Sequence, residues 1–175
     1  MKLLLSIHQF DLQAFTWCMR RKQRQFITQV SRGLSCTADG PLYLLIVLAL
    51  WLWHPVFTTA WVGAVFMAFV IERSLYLVLK NSFRRNRPQE AIVGFHSFIR
   101  PSDQFSFPSG HTSCAFLFAV ILAHVFPALI TVLMIWAASI GFARVFLGVH
   151  FPTDTLMGAL MGSTIASLVL GVMVL

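Results

Sequence analysis

Three short stretches hold the side chains that could do chemistry. The first, KNSFRRNRP, gathers Lys80, Arg84, Arg85 and Arg87 just ahead of Pro88. Cations this close repel one another unless an anion compensates, although the positive flank of a membrane helix has the same look. The second, Pro108-Ser109-Gly110-His111, opens straight into the apolar run CAFLFAVILA. Ser109 suits an N-cap and Gly110 lets backbone approach a ligand closely. A helix starting there offers free N–H groups and a partial positive charge, which accommodate a phosphoryl group. The third, ARVFLGVHFPTD, supplies Arg144, His150 and Asp154. A carboxylate near a histidine can hold one ring N–H and leave the other nitrogen to attack or to take a proton. Pro152 lies between the two, so helical spacing is not assumed. Each stretch alone also fits a plain reading: a solvated flank, a capped helix, an incidental pair. Together they hold what phosphoryl transfer to nitrogen needs, namely cations for the equatorial oxygens, a nucleophile and an acid for the leaving oxygen.

The elements that must position them are membrane helices. The chain has 175 residues, 58% hydrophobic and 11% charged, with a mean hydropathy of +0.78. Soluble domains carry about 25% charged residues, so these charges are too few to cover a wetted surface. Apolar runs near Pro41–Trp53, Val56–Leu79, His111–Phe126, Ala128–Phe146 and Thr155–Leu175 predict about five membrane-spanning helices. Lipid satisfies no backbone groups, so the fold class is all-α, a polytopic bundle forming one domain over residues 1–175. The first run is short and is expected to extend past one end. His54-Pro55 and the stretch 124–127 predict tight turns. Residues 1–34 read as an interfacial amphipathic segment, with Phe10, Phe15 and Trp17 against a basic cluster at 20–24. The opening MKLLLSIHQFDLQ lacks the apolar length and the cleavage site of a signal peptide. With five spans, the polar segment 80–108, the start of the His111 helix and the segment 147–154 all emerge on one face.

On these motifs the chain resembles the phosphatidic acid phosphatase type 2 family, the lipid phosphate phosphatases, whose site the vanadium haloperoxidases share. Lys80-x6-Arg87-Pro88, Pro108-Ser109-Gly110-His111 and Arg144-x5-His150-x3-Asp154 follow the family order across residues 80–154. The resemblance implies that His150 attacks phosphorus to form a phosphohistidine, that Asp154 orients its ring and that His111 protonates the leaving oxygen. It also implies that Lys80, Arg87, Ser109, Gly110 and Arg144 hold the phosphoryl oxygens, with no metal and no other cofactor. Arg84 and Arg85 lie outside the motif; attraction of anionic headgroups and ordinary surface charge are the two readings. One departure is Ala143, where the family usually carries serine, which removes a hydroxyl from the phosphate shell.

The implied substrate is a lipid phosphate or diphosphate, with undecaprenyl diphosphate first and phosphatidylglycerol phosphate or phosphatidate as alternatives. A lipid phosphotransferase is a rival enzyme, and a lipid-binding or transport bundle a rival of another class. The partners expected are this substrate and membrane lipids, with no nucleic acid and no protein partner. A metal phosphatase needs clustered carboxylates, and of the six acids only Asp154 sits in a motif. Cys18 and Arg24 match a cysteine-phosphatase spacing, but the intervening MRRKQ lacks the glycine such a loop uses. Glu72 and Arg73 fall inside the second span, where ionisable groups are costly; pairing between helices and a place near the substrate are the two readings. His8, His54, His96 and His124 show no ligand spacing. The charge distribution puts the catalytic face in the cytoplasm, whereas the resemblance implies the outer face of the inner membrane.

Overall fold

The structure, a computed structural model, describes residues 2–20, 24–53 and 58–173. Among the described residues every regular element is helical: α1 (Lys2–Met19), α2 (Arg24–Cys36), α3 (Gly40–Trp53), α4 (Thr59–Phe83), a short α5 (Pro88–Ala91), α6 (Gly110–Val125), α7 (Ile130–Phe146) and α8 (Pro152–Met173). Thr59–Ala91, Pro127–Phe146 and Pro152–Val172 are each long and apolar enough to cross a bilayer. α2 and α3, bent by 47° at a short break, are long and apolar enough only when taken together, which gives up to four spans. Taken as one span, the pair has the length that Pro41–Trp53 lacks.

α6 is apolar but only 16 residues long. Its position explains how so short a helix serves. Ala115, Leu117, Phe118, Ala119 and Ile121 are all buried, so other helices rather than lipid surround most of it. α8 packs tightly against it through Gly158 and Gly162, where a Cβ would stand 2.5 Å from the Ser109 carbonyl oxygen and 2.0 Å from that of Ser113. Small residues four apart let helix backbones approach in just this way. The predicted turn at 124–127 is a capped end at Phe126 followed by a 3₁₀ turn, Pro127–Leu129. The His54-Pro55 turn and most of the 20–24 basic cluster fall at 54–57 and 21–23, outside the described residues.

α1 is only half as interfacial as its composition suggests. Phe10 and Trp17 face outward, but Phe15 and Asp11 are buried, and Phe15 packs edge-on to Phe95 and Phe151. The helix thus lies on the polar end of the bundle. There the last turns of α4 and α7 meet the first turns of α6 and α8. The protein is a multi-pass membrane protein with its polar groups collected at that end.

Candidate active site

The three motifs are tied together mainly through backbone. Ser106 is the hub. Its N–H donates to the Arg85 carbonyl (2.8 Å), its hydroxyl to the Asn86 carbonyl (3.1 Å), and its own carbonyl accepts from His150 Nδ1 (2.7 Å). Ser109 N–H donates to the Asp154 carbonyl (3.0 Å), joining the second motif to the third. Arg87 stands at the N-cap of α5, where Pro88 supplies a preset helical φ and Glu90 Oε2 accepts from the Arg87 N–H (3.3 Å).

A carbonyl oxygen can only accept, so the bond to Ser106 places the proton of neutral His150 on Nδ1 and leaves the Nε2 lone pair free. Asp154, expected to orient the ring, meets the same Nδ1 edge from farther away. Asp154 Oδ2 is 3.8 Å from Nδ1, too far for a hydrogen bond, and accepts instead from the Phe151 N–H (2.8 Å). The other carboxylate oxygen accepts from Arg85 Nη1 (2.7 Å). Nδ1 thus faces the Ser106 carbonyl at hydrogen-bond distance and the Asp154 carboxylate at ion-pair distance. Burial pushes the His150 imidazole down to about 4; Arg144 and Arg87 add to the shift, and the Asp154 carboxylate opposes it.

Arg85, read from sequence as attracting headgroups or as surface charge, links two buried carboxylates. Its Nη2 reaches Asp11 Oδ2 (2.6 Å), and Nη1 serves both Asp154 and the Thr153 hydroxyl (2.8 Å). Asp11 Oδ1 also accepts from the Thr153 N–H (3.0 Å), so α1 pins the first turn of α8.

The cations form a second layer. Arg87 donates from Nε to the Asp103 carbonyl (3.0 Å), from Nη1 to the Val149 carbonyl, and from Nη2 to the Asp103 carboxylate. Lys80 Nζ meets Asp103 Oδ2 at 2.7 Å and the Tyr76 hydroxyl, which itself donates to that carboxylate. Burial would raise the Asp103 carboxyl, but hydrogen bonds from Lys80 and Tyr76, with the Lys80 and Arg87 charges, hold it at about 2. Arg144 donates from Nη1 to Ser35 of α2 (2.8 Å) and leaves its buried Nε without a partner among the described residues. His111 Nε2 stands 3.2 Å from Asp39 Oδ1, at the break between α2 and α3.

These groups border a cavity of about 540 Å³. Arg87, Gly110, His111, Arg144 and His150 line it, with Asp39, Asp103 and Tyr76; part of its wall is apolar, from Tyr43, Val47, Val65 and Phe69 of α3 and α4. Glu72 and Arg73 line it too, and Glu72 Oε2 accepts from Cys114 Sγ of α6 (3.5 Å), a contact between helices. Lys80, Ser109 and Asp154 sit behind this lining. Ser109 occupies the N-cap, but its hydroxyl bonds Thr112 Oγ1 (2.9 Å) rather than a backbone N–H. At Gly110 the space a side chain would fill belongs to the Tyr76 ring, 2.9 Å from an added Cβ, so the glycine also serves the packing of α6 on α4. Asp39, Asp103, Asp11 and Ser106 were missed in the sequence because they lie outside the spaced motifs.

Known proteins share this architecture. The PAP2 superfamily model matches residues 51–174. A lipid A 1-phosphatase of Rhizobium johnstonii is 31% identical over 109 residues, covering 59% of this chain and 45% of that protein. An undecaprenyl-diphosphatase of Sulfolobus acidocaldarius is 39% identical over 103 residues, 58% of this chain and 50% of its own. The chain thus spans about half the length of these relatives. The crystal structure of a transmembrane PAP2-type phosphatidylglycerolphosphate phosphatase from Bacillus subtilis superposes with a TM-score of 0.77 at 27% identity, over 95% of this chain and 85% of that one. The family model takes in all three motifs and the whole of the helix that carries the first, so the chain belongs to the PAP2 superfamily.

Proposed function

We propose that the protein is a membrane phosphatase that removes phosphate from a lipid phosphate or diphosphate, without a metal, on the outer face of the inner membrane. One observation carries the reading: His150 is held by Nδ1 on a carbonyl, with Nε2 free at a cavity that Arg87, Arg144 and His111 share. The Nε2 lone pair attacks phosphorus as the bond to the leaving oxygen breaks, and His111, which takes up its proton beside Asp39 and the bound phosphoryl charge, gives that oxygen the proton. Water then attacks the phosphohistidine, His111 takes the proton, and phosphate leaves with Nε2 restored. The free Nε of Arg144 supplies a donor for a phosphoryl oxygen. The apolar wall of α3 and α4 accommodates a hydrocarbon tail. The relatives named above act on different lipids, and undecaprenyl diphosphate is the substrate we put first.

Purified protein assayed with undecaprenyl diphosphate, phosphatidylglycerol phosphate and phosphatidate, each with and without EDTA, tests this. Phosphate release from at least one lipid, unchanged by EDTA, is expected; no release from any would favour a binding or transport bundle.

Two further outcomes follow from the geometry. Because burial lowers His150 to about 4, the acid limb of kcat/KM, after correction for ionisation of the substrate's own phosphate, should lie near that value. A limb at the ordinary imidazole value of about 6.5 would contradict the burial argument. Asp39 steadies His111 in its protonated form, so Asp39→Asn should lower kcat/KM on the lipid by about tenfold or more. An aryl phosphate, whose leaving group needs no proton, should be hydrolysed nearly as fast by the variant as by wild type. Equal losses on both substrates would remove Asp39 from this role.

A further inference from the structure

We propose that Asp103 is a built-in competitor for the substrate's phosphoryl group: its carboxylate occupies the anion seat of Lys80 and Arg87 in the empty enzyme and yields that seat when phosphate binds. The proposal rests on the phosphatase reading and assigns a residue outside the motifs to the same site. Asp103 presents one oxygen to Arg87 Nη2 and the other to Lys80 Nζ and the Tyr76 hydroxyl, as two oxygens of a phosphoryl group would. It lines the cavity, whereas Lys80 does not and is bonded to two residues that do, Asp103 and Tyr76.

The two cations do not need the carboxylate to keep their places. Arg87 is also fixed by two backbone carbonyls, those of Asp103 and Val149, and by burial to 2% side-chain exposure. Lys80 keeps the Tyr76 hydroxyl and is nearly as enclosed, at 6%. Asp103 is the exposed member, its side chain 31% accessible, on the irregular segment that leads to Ser109. It is therefore the partner free to leave.

An internal anion of this kind has a chemical use. Hydrolysis ends with inorganic phosphate in a pocket bordered by several cations, which would retain it. A carboxylate that recovers Lys80 and Arg87 lowers the affinity for that product and favours its release.

The test is the affinity for inorganic phosphate in detergent-solubilised protein, read both as the inhibition constant against the lipid substrate and by calorimetry without turnover. Asp103→Asn should bind phosphate at least tenfold tighter than wild type, with KM and kcat both reduced because product leaves slowly. Were Asp103 only a brace for Lys80 and Arg87, the same substitution would weaken phosphate binding or leave it unchanged, and either result overturns the proposal. Should the variant fail to fold, a crystal structure of wild type with inorganic phosphate decides. The expected result is an Asp103 carboxylate withdrawn from Lys80, with a phosphate oxygen in its place, and an intact Lys80–Asp103 pair beside bound phosphate contradicts it. A wild type that neither binds phosphate nor releases it from any lipid would overturn the phosphatase reading. A wild type that does both while Asp103→Asn binds no tighter would overturn this inference alone.

Discussion

His150→Gln should lower kcat on the lipid substrate by roughly 10⁴-fold or more, the scale seen when an attacking group is removed from a covalent mechanism. Glutamine has an amide N–H that can still donate to the Ser106 carbonyl, so the loop at 147–151 keeps an anchor where His150 Nδ1 had one. What it lacks is a nitrogen with a free lone pair facing phosphorus. The substitution therefore separates chemistry from folding: thermal unfolding in detergent should shift little while turnover disappears. Turnover within tenfold of wild type would show that another group attacks.

Arg85→Met should be the most damaging change to stability, at about 3–5 kcal/mol, because breaking a buried ion pair from one side leaves uncompensated charge. Here the cost falls on two carboxylates at once. Asp11 and Asp154 are fully buried, and Arg85 stands between them at 2.6 and 2.7 Å. Without the guanidinium the carboxylates of α1 and α8 face each other, and the first turn of α8 loses its link to the α4–α5 junction. Activity should fall as well, since Asp154 stands beside His150. Adding Asp11→Asn to Arg85→Met should restore part of the loss by removing one of the two charges. Thermal unfolding of the single and double variants measures both effects, and a single variant within about 1 kcal/mol of wild type would mean that the triad is not needed.

The site was legible where residues recur at fixed spacing. Lys80, Arg87, His111, Arg144, His150 and Asp154 can be picked out because their neighbours form motifs, and the helices that carry them because apolar runs have a minimum length for a bilayer. Asp39, Asp103 and Asp11 could not be found in that way. Each meets the site from a segment distant in sequence, at a helix break, in an irregular loop or on a docked helix. One signal did point to them. The chain has only four aspartates, Asp11, Asp39, Asp103 and Asp154, and in the structure each sits beside a cation or histidine of the site. Where carboxylates are so scarce in an apolar chain, those present have specific work, a stronger reading than motif membership alone supplies.

The bond between Ser106 and His150 was hidden for a different reason. A backbone carbonyl has no side-chain identity, so His-x3-Asp in sequence points to the carboxylate and not to the peptide group that also meets Nδ1, and more closely. The reach of α2 was partly foreseen, since the first apolar run was too short to span alone. The 47° break that continues the span also delivers Asp39 to His111, and that second consequence had no sequence signature.

The central claim is that phosphorus becomes bonded to the His150 ring during turnover. Rapid quenching with a ³²P-labelled lipid phosphate, followed by peptide mapping, tests it directly. The account predicts a phosphoenzyme that is stable in base and lost in acid, as a phosphoramidate is, with the label on His150 and absent from His150→Gln. An acid-stable label on a serine, threonine or other residue, in enzyme that turns over normally, would contradict it.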